Sequence, residues 1–199
     1  MMSHLGLSLQ TLIPAVLAAG WAVHAGLLYR RLTRTRRDPL TGLLTRAGWT
    51  RRARRITAHR NAAVVLIDLD RFKRINDRVG HAAGDAILAA TGDRLAAWCG
   101  RGAAGRLGGD EFVVALVDNG DLDQRLAELR TLLCQPVEHD GQLLKVGASI
   151  GVARLADLPT ATLSAALGAA DAAMYRAKGR GRRGRRLPRV IRSTFRLAA

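Results

Sequence analysis

Two glycines followed by two acidic residues, at positions 108–111, constrain the fold of this chain more than any other stretch. Adjacent glycines permit a tight turn and the close approach of another backbone. The apolar run 112–117 follows directly, so the sequence predicts a β-hairpin whose second strand begins beside paired carboxylates. Such a hairpin suits a divalent metal and a phosphate. A plain Gly-Gly hairpin with solvated acids is the alternative reading of these residues alone.

The positive charge of the chain, a formal net +16 over 199 residues, lies in two flanking segments. Residues 30–60 contain 11 arginines and one acidic residue, and residues 176–199 contain 10 basic residues and no acidic one. The intervening domain is mildly acidic. This distribution predicts that the basic flanks contact anionic membrane lipid. Nucleic acid is disfavoured as a partner because the arginines are not interleaved with stacking aromatics and no binding motif appears.

An uncharged apolar segment precedes the first basic flank. Residues 9–29 contain no Lys, Arg, Asp or Glu, and this is about the length that crosses roughly 30 Å of hydrocarbon as a helix. Arginines follow from Arg30 and none precedes the segment, so the positive-inside rule predicts a single-pass inner-membrane (plasma-membrane) protein with its N-terminus outside and the following domain in the cytoplasm. A cleaved signal peptide is disfavoured because its positive charge would come first. A buried N-terminal helix without a membrane span is the alternative.

Beyond this segment, strand-like and helix-like runs alternate. The apolar run 62–67 reads as a buried central strand that ends at Asp68. The alternation predicts an α/β (α+β) fold, a central mixed β-sheet flanked by helices, with a transmembrane helix before it. Further strands are predicted over residues 112–117 and 143–152, and helices over residues 47–59, 84–98, 122–133 and 160–178.

A second motif follows the central strand. It reads D-x-D-x-F-K-x-x-N-D over residues 68–77 and continues with Gly80-His81 and Gly84-Asp85. With Asp38-Pro39-Leu40-Thr41-Gly42-Leu43 and the Gly-Gly-Asp-Glu turn, this spacing resembles the GGDEF domain family, the diguanylate cyclases. The resemblance implies a nucleotidyl-cyclase-like fold. The predicted domains are a membrane anchor with a basic juxtamembrane segment over residues 1–37, a GGDEF catalytic domain over 38–184 and a basic C-terminal tail over 185–199.

The resemblance implies a metal site built from acidic residues. Asp68, Asp110 and Glu111 would gather around Mg²⁺ or Mn²⁺ with help from the carbonyl of Leu69, and Mg²⁺ prefers hard oxygen ligands of this kind. Three unpartnered acids would repel one another, so a cation among them is electrostatically favourable. In the family, the acid at the position of Asp110 also accepts the 3′-hydroxyl proton and is supported by the next residue, so Asp110 and Glu111 are predicted to be catalytic. Taken alone, Asp68 suits a helix N-cap equally well.

The resemblance also implies a binding site for GTP. A carboxylate at Asp85, with Asn76, would accept hydrogen bonds from the N1–H and 2-amino groups of guanine, which adenine lacks. Basic side chains would hold the triphosphate by charge-assisted hydrogen bonds. Alternative readings are a turn residue for Asn76 and a solvated helix end for the last two basic residues of the set. The predicted substrate-binding residues are Lys73, Asn76, Asp85, Gly108, Gly109, Lys178 and Arg182.

Together these implications predict a cyclase that condenses two GTP into cyclic di-GMP and two pyrophosphates. Each domain would bind one GTP, so two copies must face each other as a homodimer. A non-catalytic GGDEF effector that binds nucleotide, and a basic membrane or nucleic-acid adaptor, are the alternatives. Many family members carry an inhibitory Arg-x-x-Asp motif before the Gly-Gly turn. Here residues 99–102 read Cys-Gly-Arg-Gly, which predicts weak or absent product feedback at that position.

Overall fold

The computed structural model describes residues 14–27 and 36–179. The chain divides into two compact units, of which the second begins at Arg37. In the first unit, residues 14–27 form helix α1. Its large apolar side chains, among them Leu17 and Trp21, are exposed to solvent.

The predicted membrane localisation is wrong. Within residues 14–27 and 36–179, no helix combines the length and the apolar character needed to cross a bilayer. The described residues of α1 rise only about 21 Å, short of the roughly 30 Å of a hydrocarbon core. The ends of the predicted span, residues 9–13 and 28–29, lie outside the described ranges. The predicted transmembrane helix is therefore not supported, and neither is the predicted lipid contact of the basic flanks.

A five-stranded mixed sheet, ordered β1-β3-β4-β2-β7, forms the centre of the second unit. Strand β2 lies between β4 and β7 and is antiparallel to both, whereas β1 pairs with β3 in parallel. Strands β5 and β6 form a separate hairpin. The strands described are β1 (Leu44–Thr45), β2 (Ala62–Asp70), β3 (Ala103–Gly108), β4 (Glu111–Val117), β5 (Val137–His139), β6 (Gln142–Leu144) and β7 (Gly147–Arg154).

Helices cover both faces of this sheet, because the apolar run of β2 turns alternate side chains to opposite faces. Val65 and Ile67 join a core cluster with α3, α4 and α5. Val64 and Leu66 join a second cluster with α2 and α6. The mixed sheet flanked by helices is therefore confirmed. The helices of this unit are α2 (Arg46–Ile56), α3 (Phe72–Val79), α4 (His81–Cys99), α5 (Leu122–Leu133) and α6 (Leu163–Gly179), with a short 3₁₀ turn at Leu155–Asp157.

Within the second unit, the predicted elements are confirmed except for one strand. Helix α5 has the predicted bounds, and α4 begins three residues before its prediction. The single strand predicted over residues 143–152 is wrong, because the chain changes partner within it. Its first part belongs to β6, which pairs with β5, and its second part belongs to β7, which pairs with β2. Both parts are strand-like in sequence, so the pattern alone does not reveal the change.

Candidate active site

The Gly-Gly turn that joins β3 to β4 has the backbone that its sequence predicts. Gly108 and Gly109 have φ values of 147° and 53°, and the second lies in the left-handed region that favours glycine. The guanidinium of Arg106 braces the turn, since its Nε donates a hydrogen bond of 3.0 Å to the carbonyl of Gly109. Its Nη1 lies 3.1 Å from Asp38 Oδ1. The turn is thus tied to the segment that precedes β1.

Asp38, at the other end of this tie, is held ionised. Burial opposes the charge, but the hydroxyl and the N–H of Thr41 and the guanidinium of Arg106 outweigh it, so the pKa of Asp38 lies below its usual value. The Asp-Pro-Leu-Thr motif of the sequence therefore closes on itself around this carboxylate and anchors the turn. No sequence expectation named this role.

Strand pairing brings the predicted metal-binding acids to the same end of the sheet. Asp68 and Glu111 are Cα partners in the β2–β4 ladder. The N–H of Leu69 donates a hydrogen bond of 3.2 Å to the carbonyl of Asp110, which joins the first acid of the turn to the end of β2. The antiparallel register, which depends on the hairpin, thus unites residues that lie about forty positions apart in the sequence.

Burial and mutual repulsion make Asp68 and Glu111 hard to ionise. The pKa of Glu111 is raised by burial first and then by the negative charge of Asp68, which Arg46 partly offsets. The pKa of Asp68 is also raised, mainly by burial, with Lys178 acting in the opposite direction. Perturbation of this kind is typical of functional sites.

Lys178 places a positive charge beside Asp68. Its Nζ lies 2.6 Å from Asp68 Oδ1. Helix α6 brings it there by packing closely on β7, where a Cβ at Gly151 would collide with the backbone of Ala170 and Met174. In this structure Lys178 is therefore an ion-pair partner of the acidic cluster and not a solvated helix end.

The acids fit a divalent metal by their chemistry. Carboxylate oxygens are the donors that Mg²⁺ and Mn²⁺ prefer, and a cation would relieve the repulsion that raises the pKa of Glu111. In the described part of the chain, no three His, Cys, Asp or Glu side chains converge closely enough to hold an ion. The ligand types are therefore present, while the side chains have not gathered around one point.

Asn76, predicted to bind guanine, packs its side chain against Gly84. A Cβ at Gly84 would overlap Asn76 Oδ1 and would lie 3.1 Å from Cζ of Phe72. That oxygen is buried and has no hydrogen-bond partner among the described residues. A buried acceptor without a donor is costly, so a donor from a ligand would be favourable here. Asp85 follows Gly84 directly on α4 and is exposed.

The predicted triphosphate ligands are only partly described. Lys73 is exposed in the first turn of α3. This helix begins after Arg71, which has a left-handed φ of 57° and provides no side-chain cap. Uncapped N–H groups at a helix start suit a phosphate. Arg182 lies outside the described residues.

Arg46 was not singled out by the sequence motifs. It begins α2, and its Nε and Nη2 donate hydrogen bonds of 3.2 and 3.0 Å to the carbonyl of Leu107. In sequence it was one of many arginines in the first basic flank. Its position directly after Thr45, the N-cap of α2, is the one local signal that separates it from the others.

Comparisons with known proteins agree with this site. Residues 35–184 match the family model "Diguanylate cyclase, GGDEF domain". An uncharacterised 19.3 kDa protein of Streptomyces ambofaciens is 59% identical over 178 residues, which cover 88% of this chain and 94% of that protein. Diguanylate cyclase DgcP of Escherichia coli is 41% identical over 121 residues, which cover 58% of this chain.

A solved structure has the same fold. A sensory box/GGDEF family protein from Caulobacter crescentus superposes with a TM-score of 0.67 at 40% identity, covering 73% of this chain and 99% of that one. The chain spans nearly the whole Streptomyces relative but only 35% of DgcP. The family match covers three quarters of the sequence and includes both motifs. The chain therefore belongs to the GGDEF domain family of diguanylate cyclases, which confirms the family and the enzyme class that its motifs predict.

Proposed function

We propose that this chain condenses two GTP into cyclic di-GMP and two pyrophosphates, with residues 38–184 as the catalytic domain. The observation that carries the proposal is the junction of three charged groups beside the Gly-Gly turn. Asp68 faces Glu111 across the β2–β4 ladder and pairs with Lys178 at 2.6 Å. Two carboxylates and an ammonium at a glycine turn suit the metal-bound triphosphate of a nucleotide.

The acidic residues would hold the divalent ion. Asp68, Asp110, Glu111 and the carbonyl of Leu69 would bind Mg²⁺ or Mn²⁺, and the bound ion would supply positive charge to the triphosphate. Glycines at the turn leave room for the phosphates. Lys73, Lys178 and Arg182 would contribute charge-assisted hydrogen bonds to the same group.

Guanine would be read between α3 and α4. The unpartnered Oδ1 of Asn76 and the carboxylate of Asp85 are acceptors, and guanine offers N1–H and 2-amino donors to them. Adenine offers neither donor at these positions. A site built to accept hydrogen bonds rejects an analogue that lacks the donors, because its buried acceptor would stay unpaired.

The chemistry requires two copies of the chain. Asp110 accepts the 3′-hydroxyl proton of one GTP, and the 3′-oxygen forms a bond to the α-phosphorus of the GTP held by the facing copy. The bond from that phosphorus to the β-phosphate breaks, and pyrophosphate leaves. The same step in the opposite direction closes the ring. Since each domain binds one GTP, the catalytic unit is a homodimer, in which positioning and charge stabilisation provide the rate gain.

A non-catalytic nucleotide-binding effector is the alternative function. The complete set of acids, Asp68, Asp110 and Glu111, together with Asn76 and Asp85, disfavours it. No observation on the described residues supports the adaptor reading.

The test is product identification by mass spectrometry after incubation of the full chain with GTP and Mg²⁺. We expect cyclic di-GMP from GTP and no cyclic dinucleotide from ATP. Glu111→Ala should lower the rate by more than the about 10–100-fold that loss of an outer-shell partner of a metal ligand typically costs. Glu128→Ala, which removes an exposed glutamate on α5, is the matched control and should keep the full rate. GTP binding by a dimer without product would overturn the cyclase and favour the effector.

A further inference from the structure

Arg46 touches the Gly-Gly turn from outside the recognised motifs. Its guanidinium has three nitrogen donors, and two of them, Nε and Nη2, donate hydrogen bonds of 3.2 and 3.0 Å to the carbonyl of Leu107. Leu107 directly precedes Gly108. The contact joins the first turn of α2 to the turn between β3 and β4, which lies 61 residues away in sequence.

The carbonyl of Leu107 needs such a partner because it lies at a bulge. The register between β3 and β4 shifts between Arg106 and Gly108, so Leu107 has no Cα partner on β4. Residues at a bulge leave the regular ladder of hydrogen bonds, and a buried carbonyl without a donor is costly. Arg46 supplies two donors at that point. Together with Arg106, which binds the carbonyl of Gly109, it fixes the turn on both sides.

The third nitrogen of the guanidinium, Nη1, has no hydrogen-bond partner among the described residues. It is buried and donates a hydrogen bond to no acceptor in that part of the chain. Arg46 lines a largely apolar cavity with Leu66, Ile67, Leu107, Glu111, Phe112, Leu167 and Met174. Glu111 provides the single carboxylate among these lining residues. An unsatisfied charged donor in apolar surroundings is unfavourable, and the Glu111 carboxylate is the acceptor of opposite charge on the same cavity.

We propose that Arg46 is a positioning residue for the metal site: it holds the Gly-Gly turn through Leu107, and its unpartnered Nη1 offers a donor to the Glu111 carboxylate, on the same cavity, once that carboxylate binds the ion. The inference rests on the proposed function, in which Glu111 binds the divalent ion. Groups that hydrogen-bond a metal ligand from behind orient it and commonly change metal affinity or activity by about 10–100-fold when removed. In this role Arg46 acts through the turn and Glu111 and would bind neither the substrate nor the ion itself.

The other arginines of α2 provide the matched comparison. Arg54 lies two turns further along the same helix and is exposed, with the same charge and length. If a general positive field from α2 were responsible, Arg54→Met would act like Arg46→Met. If the contact with the turn is responsible, only Arg46→Met has an effect.

The experiment measures Mn²⁺ affinity by electron paramagnetic resonance on the full chain with a non-hydrolysable GTP analogue. We expect Arg46→Met to weaken Mn²⁺ binding about 10–100-fold and to speed hydrogen exchange at the Gly108 and Gly109 amides. Arg54→Met should change neither. Arg46→Lys keeps the charge, but one ammonium cannot reproduce the planar fork of donors, so its affinity should fall between those of the wild type and Arg46→Met.

Wild-type Mn²⁺ affinity in a folded Arg46→Met chain would overturn the proposal. If Arg46→Met fails to fold, Arg46→Lys decides in its place, and wild-type affinity in that variant would overturn the proposal as well. Because Mn²⁺ binding requires no turnover, the result is separate from the fate of the proposed cyclase. A wild type that binds Mn²⁺ and analogue but makes no cyclic di-GMP would refute the reaction and leave the role of Arg46 to the affinity data.

Discussion

Glu111 illustrates how a single residue is placed at a cost to the fold. It lies at the start of β4, opposite Asp68, where burial and the neighbouring carboxylate both raise its pKa. An ionised carboxylate at such a position is destabilising unless a cation accompanies it. The site therefore keeps a charge that the fold alone would not favour, and this is common where residues serve a function.

Glu111→Gln should make the metal-free chain more stable while it abolishes activity. Because the pKa of Glu111 is raised in the folded state, its ionisation lowers the free energy of unfolding as pH rises above the usual carboxyl value. The gain from Glu111→Gln should thus be absent in acid and full near neutral pH. We expect a melting temperature higher by no more than about 2–4 °C at pH 7.5, the shift that roughly 1 kcal/mol produces in a domain of this size, because solvent at this half-buried carboxylate screens part of the effect. Thermal unfolding at several pH values, with chelator present, measures it, and an equal gain at pH 4 would contradict this account.

Gly84→Ala should weaken GTP binding without touching the nucleotide. The new Cβ would overlap Asn76 Oδ1, which is the end of a movable side chain, so the fold should accept the change while the amide is displaced. We expect the KM for GTP to rise roughly tenfold, the effect of one lost hydrogen bond of about 1.4 kcal/mol, with kcat little changed.

The control for Gly84→Ala is a double-mutant cycle with Asn76→Ala. If the glycine acts through Asn76, the double variant should bind GTP no more weakly than Asn76→Ala alone. Additive losses in the steady-state KM would show that Gly84 acts through another group.

At the scale of elements, the close packing of α6 on the sheet places Lys178 beside Asp68. Gly151 on β7 permits this close packing, because any side chain there would collide with the backbone of Ala170 and Met174. Helix α6 then continues for one more turn to Lys178, whose ammonium reaches Asp68. The close approach of helix and strand is therefore part of the site.

Gly151→Ala should lower the free energy of unfolding by about 1–3 kcal/mol, as overpacking in a well-packed core does. Gly168→Ala is the matched control on α6 itself. No atom lies within 4 Å of a Cβ built there, so the change should stabilise the helix by about 0.5–1 kcal/mol. Denaturant unfolding of both variants tests the pair. Equal effects of the same sign would contradict the packing argument.

The sequence predicted elements better than it predicted their pairing. Helix α5 shows three- and four-residue spacing of Leu122, Leu126, Leu129 and Leu133, and all four are buried as that period requires. The run 143–152 carries no sign of its change of partner, because β6 and β7 are both strand-like. Strand partners depend on contacts distant in sequence, and local patterns do not contain them.

The site divides in the same way. The acids and Asn76 were predicted because they lie in motifs of dense, fixed spacing. Arg46 was missed because its partner, the carbonyl of Leu107, is freed only by a bulge in the β3–β4 register. Side chains that serve backbone groups leave little trace in sequence, whereas side chains that serve a ligand recur in motifs.

At the scale of the whole molecule, the membrane prediction was made from composition alone, and the structure does not support it. An uncharged stretch followed by arginines satisfied the membrane rules by count, yet no helix within residues 14–27 and 36–179 is long and apolar enough to span a bilayer. A count of apolar residues does not determine how many of them share one continuous helix.

Product feedback concerns the activity of the whole enzyme, and the sequence predicts that inhibition by the product is weak or absent here. At the end of α4, where many family members carry an inhibitory arginine, Cys99 is buried, and burial raises the pKa of its thiol. A neutral buried thiol offers no charge to a phosphate. Progress curves measured with and without added cyclic di-GMP should therefore show little or no inhibition. Strong inhibition of the unaltered chain would contradict this expectation.

The central claim, a cyclase site shared by two copies, is tested most directly by mixing wild type with Glu111→Ala at constant total protein and measuring cyclic di-GMP. Both bonds of the ring require intact acids on both copies, so cyclic product should follow the square of the wild-type fraction. An equal mixture should give about one quarter of the full rate, as random pairing by mass action requires. A rate of about one half would show that each copy acts alone, and no cyclic di-GMP at any ratio would contradict the proposed function itself.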